Sequence, residues 1–113
     1  MEKNQKEETK KRINQLTEDI EHTKYFHEKI GYDIEYNLMK NKKVLESDTL
    51  SVKDREFFIN QRQKILKIRE REQEDFEEYT KKINKQIESH KEEIYEIERN
   101  EKKEDTEENH DND

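Results

Sequence analysis

Nothing in this sequence stops a helix: it contains no proline and a single glycine, Gly31. Proline breaks a helix by removing a backbone donor and clashing with the preceding turn, and glycine costs a helix about 1 kcal/mol relative to alanine. A helix once started here meets few local reasons to end. Charge supplies the second constraint. Charged residues are 49% of the chain and apolar residues 26%, so no element can be buried on all sides. Two states remain: long helices that each bury a narrow stripe, or a disordered chain. Disordered segments are typically rich in proline, so the composition selects helix. At 113 residues the chain holds one domain at most.

The pattern along the chain predicts two helices, over about 8–46 and about 52–103, with a turn at 47–51. Ser47, Asp48, Thr49 and Ser51 cluster in the turn, and such side chains compete with helical backbone bonds. Ser51 is placed to cap the second helix, and Asp54 three residues on sits at the positive end of its dipole. The main stripe of the first helix is Ile13, Leu16, Ile20, His27, Ile30, Ile34, Leu38 and Leu45, with Thr23 between Ile20 and His27. That of the second is Phe58, Ile65, Ile68, Phe76, Tyr79, Ile83, Ile87, His90, Ile94 and Ile97, interrupted by Gln61 and Glu72. Gaps alternating between three and four make a coiled-coil seam, with a stutter from Tyr79 to Ile87. A short turn favours antiparallel neighbours, and folding at Thr49 sets Ile34 near Ile65 and Ile20 near Tyr79. The expected fold is therefore all-α: two long antiparallel helices in a coiled-coil-like helical hairpin. The competing topology is one continuous helix in a parallel dimer. Residues 104–113 hold six acids and neither a basic nor an aliphatic residue, which predicts a disordered, solvated acidic tail.

A hairpin needs one apolar stripe per helix, and this sequence carries more. Tyr25, Tyr32, Tyr36 and Met39 recur on the first helix well away from its seam. Val52, Ile59 and Leu66 repeat every seven residues on the second, again off the seam. Phe26 and Phe57 add apolar surface in the same half, near the turn. Two helices cannot cover four stripes, and soluble monomers rarely expose contiguous apolar patches. Tyrosine suits an interface, burying its ring while its hydroxyl stays wet. These nine residues are the candidate partner-binding set. A second copy of the chain, giving a homodimer, and a different helical protein both fit as the partner.

Catalytic chemistry finds no footing in the residues. The chain has no cysteine, so neither disulfides nor thiolate chemistry arise, which fits a reducing cytoplasm. His22 and His27 are five apart and point to different helix faces, unlike metal-binding pairs four apart. Carboxylate pairs such as Glu77-Glu78 and Glu92-Glu93 lie on solvated faces among lysines. One glycine rules out a glycine-rich phosphate loop, and no serine has a histidine-and-acid setting. The reading expects no enzyme, no metal and no cofactor. A net charge of −7 argues against nucleic acid, which needs a basic surplus, and the polar faces are too mixed for a membrane surface. No apolar run approaches the ~20 residues of a membrane span. The opening Met1-Glu2-Lys3-Asn4 lacks the apolar core of a signal peptide.

The stretch from Phe57 to Lys103 opens on Phe57-Phe58, continues Gln61-Arg62-Gln63-Lys64, and ends Glu92-Glu93-Ile94-Tyr95-Glu96-Ile97-Glu98-Arg99. In this it resembles the small α-helical accessory proteins associated with LXG toxins of Gram-positive type VII secretion, which belong with the WXG100-like helical hairpins. The resemblance implies a cytoplasmic adaptor or targeting chaperone. It would pack on the helical N-terminal region of a larger secreted toxin, beside a second small helical protein, and would leave the cell with its client. Two departures bear on this. The chain has no tryptophan, hence no Trp-x-Gly turn. No aromatic is followed four residues later by an acid: Tyr95 is followed by Arg99, Tyr32 by Tyr36 and Phe26 by Ile30. The export pattern is absent, which favours an adaptor over an autonomous substrate. The alternatives are a self-assembling structural coiled coil and an acidic inhibitor of a basic partner.

Overall fold

The computed structural model describes the backbone of residues 2–111 and the side chains of residues 4–104. The chain is all-α, with α1 at Glu2–Leu45 and α2 at Val52–Asp111 joined through residues 46–51. The two pair antiparallel in two compact units, a turn-proximal one, His22–Tyr79, and a second made of Met1–Glu21 with Thr80–Asp113.

The turn forms where the sequence places it, and each free helix end is satisfied. Ser51 Oγ accepts the Asp54 amide at 3.1 Å, and Ser51 O accepts the Arg55 amide at 2.9 Å. Ser51 is thus the N-cap of α2, with Asp54 in its first turn. The end of α1 is closed by a group the sequence did not single out. The Arg55 guanidinium donates to Leu45 O at 3.0 Å and to Ser47 O at 3.1 Å, taking carbonyls that a helix terminus leaves unpaired. Lys42 and Lys43 in the last turn add charge favourable to the dipole.

In the turn-proximal unit the buried side chains are Ile34, Leu38 and Asn41. Two apolar side chains contribute roughly 1.5–3 kcal/mol each. Asn41, 3% exposed, donates from Nδ2 to Phe58 O at 2.8 Å and to Gln61 Oε1 at 3.1 Å. A polar residue in a seam fixes register at some cost in stability. The seam runs on through His27, whose ring stacks on Phe76 with centroids 4.1 Å apart. His27 Nδ1 lies 3.4 Å from Glu72 Oε1 and Nε2 lies 3.1 Å from Gln73 Oε1, so the polar interruption at Glu72 is matched across the pair. Arg69 also bridges the helices, 2.9 Å from Glu35.

Two seam expectations need correction. Ile30 and Ile68 are exposed, Ile68 by 57%. Ile68 stands one step off the spacing that leads from Ile65 through Arg69 to Glu72. Separately, Gly31 on α1 leaves open space: a Cβ placed there would meet nothing within 4 Å. The groove left behind is lined by His27, Gly31, Tyr32, Glu35, Arg69 and Glu72, among others. Filling the position is therefore free of clashes, and Gly31→Ala is expected to raise stability by about 0.5–1 kcal/mol. Urea denaturation followed by circular dichroism measures this; a lowered midpoint would contradict an open notch.

In the second unit Ile83, Ile87 and Thr9 are buried, with Ile13, Leu16, Ile20, Ile94 and Ile97 half-buried. Thr9 Oγ1 donates to Gln5 O at 2.8 Å. Lys6 Nζ reaches Glu98 at 3.1 Å and Glu101 at 3.9 Å. The bond to Glu98 raises the lysine above its ordinary range. A raised lysine contributes fully below its unfolded value, about 10.4, and the contribution is lost as pH rises through the raised one.

Both outer helix ends lie further out than the sequence suggested. α1 begins at Glu2 rather than near Glu8, because Glu, Lys and Gln are good helix formers and acids suit a helix start. The helical backbone of α2 continues past Lys103 to Asp111, since no proline or glycine intervenes. Of the expected acidic tail, 104–113, the side chains from 105 on and all of 112–113 lie outside the described residues.

Candidate partner-binding surface

The apolar residues left over from the seams are where the heptad arithmetic put them. Tyr25, Phe26, Tyr32, Tyr36 and Met39 on α1 are exposed, Tyr32 by 77%. On α2 Val52, Phe57 and Ile59 are exposed, Val52 by 79%. Leu66 differs from its two repeat-mates: it is half-buried at the seam edge, so the exposed part of that repeat is Val52 and Ile59. The sequence reading missed Ile30 and Ile68, having assigned both to the seam. The signal that would have placed Ile68 is spacing: Ile65 to Glu72 alternates as four then three through Arg69, leaving Ile68 one step off.

Local contacts hold several of these rings in place. Tyr25 and Phe26 meet edge to face at 5.7 Å, and Phe57 meets the half-buried Phe58 likewise at 5.3 Å. Lys40 Nζ sits 4.3 Å above the Tyr36 ring, a cation–π geometry. Such contacts restrict the rotamers that these rings can adopt.

The distribution decides where the surface lies. Of the eleven exposed large apolar side chains among the described residues, ten belong to the turn-proximal unit and one, Tyr95, to the other. Charge follows the same division. The turn-proximal unit has twelve cations against thirteen anions, net −1, while the remainder of the chain has twelve against eighteen, net −6. One unit is sticky and nearly neutral, and the other is strongly solvated.

Comparison with protein-family models, with curated proteins and with solved structures finds no match. The geometry has to speak for itself. Three open grooves accompany the apolar residues. One is lined by Asn37, Lys40, Asn41, Val44, Phe58 and Ile65 among others. A second, on α2, is lined by Lys64, Lys67, Ile68, Arg71, Glu72 and Asp75. The third is the notch at Gly31. Each is an open groove bordered by charged side chains. Among the described residues no three of His, Asp and Glu converge as metal ligands would. No described helix is long and apolar enough to cross a membrane. His90, the other seam histidine, lies 3.4 Å from Glu93 on its own helix.

Proposed function

We propose that this chain is a non-enzymatic binding protein that docks a helix of another protein on its turn-proximal unit. The observation that carries this is the concentration of exposed apolar side chains there, at the seven-residue spacing of Tyr25, Tyr32 and Met39 and of Val52 and Ile59. That period is the one a helix laid along the unit would meet. A surface that had only to be soluble would scatter such residues along both units.

A finer reading rests on the resemblance of Phe57–Lys103 to the accessory proteins of LXG toxins. On that reading the hairpin is an adaptor or targeting chaperone in the cytoplasm, covering the helical N-terminal region of a toxin and travelling with it through type VII secretion. Co-expression with the helical N-terminal region of an LXG toxin tests this version; a stable co-purifying complex is expected.

The surface itself is tested by Tyr32→Glu combined with Ile59→Glu, using a synthetic three-heptad amphipathic helix as the probe. Placing two carboxylates in an apolar interface is expected to weaken binding at least about tenfold, while helicity changes little because both residues are exposed. Lost helicity would assign these residues to the internal seam. Retained helicity with unchanged binding would remove the surface from the account.

A further inference from the structure

The part of the turn-proximal unit nearest the turn carries a sign that the charge of the unit and of the whole chain conceals. Residues 36–71, the turn and the adjoining parts of both helices, hold ten cations and five anions, net +5. The rest of the chain then carries fourteen cations and twenty-six anions, net −12. Six of the exposed large apolar residues lie inside this basic segment: Tyr36, Met39, Val52, Phe57, Ile59 and Ile68. Two of its cations are spent internally, Arg55 on the end of α1 and Arg69 on Glu35. Lys64, Lys67 and Arg71 are exposed and form no ion pair among the described residues. They border the groove in which Ile68 stands.

Resting on the helix-docking reading, we infer that the partner is a different protein that presents an acidic amphipathic helix to this basic, apolar surface. A second copy of the chain fails on both counts. Its own turn end is apolar but of the same sign, and like charges across an interface cost several kcal/mol. Its acidic unit has the opposite sign but, among the described residues, only Tyr95 as an exposed large apolar side chain. Opposite charge and apolar surface have to come together, and this chain offers them only apart. Nucleic acid would engage the cations while leaving Val52, Ile59 and Ile68 wet.

The test uses the full chain and two synthetic three-heptad peptides with the same Leu/Ile seam and one tryptophan each, differing only in Glu or Lys at the flanking positions. The chain has no tryptophan, so emission reports the peptide alone. At low salt the Glu peptide is expected to bind about tenfold or more tighter than the Lys peptide, with the preference shrinking as salt screens it. Lys64→Glu with Lys67→Glu and Arg71→Glu should reverse the order, with the helical spectrum unchanged. Equal affinity for both peptides overturns the charge assignment and leaves helix docking standing. Binding of neither peptide by a folded chain overturns both. Tighter binding to phosphatidylserine vesicles or to a DNA duplex than to the Glu peptide overturns the choice of a helix.

Discussion

Leu38→Ala is expected to destabilise the turn-proximal unit by about 2–5 kcal/mol, the usual range for a buried leucine truncated to alanine. Alanine is the best helix former, so the loss cannot come from propensity. It comes from packing. Among the described residues of that unit only Ile34 and Leu38 are buried apolar side chains, and most helix stability in proteins derives from such burial. A total stability of 5–15 kcal/mol is typical of small domains, so this one change removes a large share. The measurement is thermal melting by circular dichroism, with Tyr36→Ala as the exposed control, expected within about 0.5 kcal/mol of the parent. If Leu38→Ala melts with the parent, the helices are not held by this seam.

Asn41→Asp should be at least as damaging although it alters almost no volume. The amide nitrogen donates to two acceptors, Phe58 O and Gln61 Oε1, from a site 3% exposed. A carboxylate there faces both oxygens with no proton to give. An uncompensated buried charge costs about 3–5 kcal/mol. Burial and the two acceptors would raise the new carboxyl above its ordinary value of about 3.9. The penalty is therefore full at neutral pH and disappears as pH falls, because the protonated acid can donate again. Asn41→Leu removes the donor together with the buried Oδ1, which has no hydrogen-bond partner. Phe58 O keeps its place in the α2 ladder and Gln61 is exposed to water, so the change is expected to be near neutral, at the expense of register. Urea midpoints of the two variants across pH provide the check. Equal stability of Asn41→Asp and the parent at neutral pH would mean that Asn41 is solvated.

How much of this was legible beforehand depends on which interactions are local. The helices, the turn at 47–51 and the Ser51 cap follow from residues within a few positions of one another. The apolar stripes follow from periodicity. Arg55 closing α1 was not legible, because its partners Leu45 and Ser47 become neighbours only after the turn has formed. Asn41 lies between Leu38 and Leu45, and an amide carries no apolar signal by which a stripe would reveal it. Ile30 and Ile68 are apolar and lie close to the seam spacing, but Ile68 is one step off the run from Ile65 through Arg69 to Glu72, and both are exposed. For the candidate surface, the exposed positions of Tyr25, Phe26, Tyr32, Tyr36, Met39, Val52, Phe57 and Ile59 match the stripes. The basic character of residues 36–71 is hidden inside a net charge of −7, because the acids of the flanking segments outweigh it in the whole-chain sum.

Light scattering with circular dichroism on the purified chain across a concentration series decides whether the turn-proximal surface is left for a different protein to cover. A helical monomer of modest melting temperature is expected at every concentration, since among the described residues two buried apolar side chains hold each unit and the chain's own surfaces do not match one another. A stable homodimer or tetramer whose melting temperature climbs with concentration would contradict it, and would mean that the exposed stripes are covered by copies of the same chain.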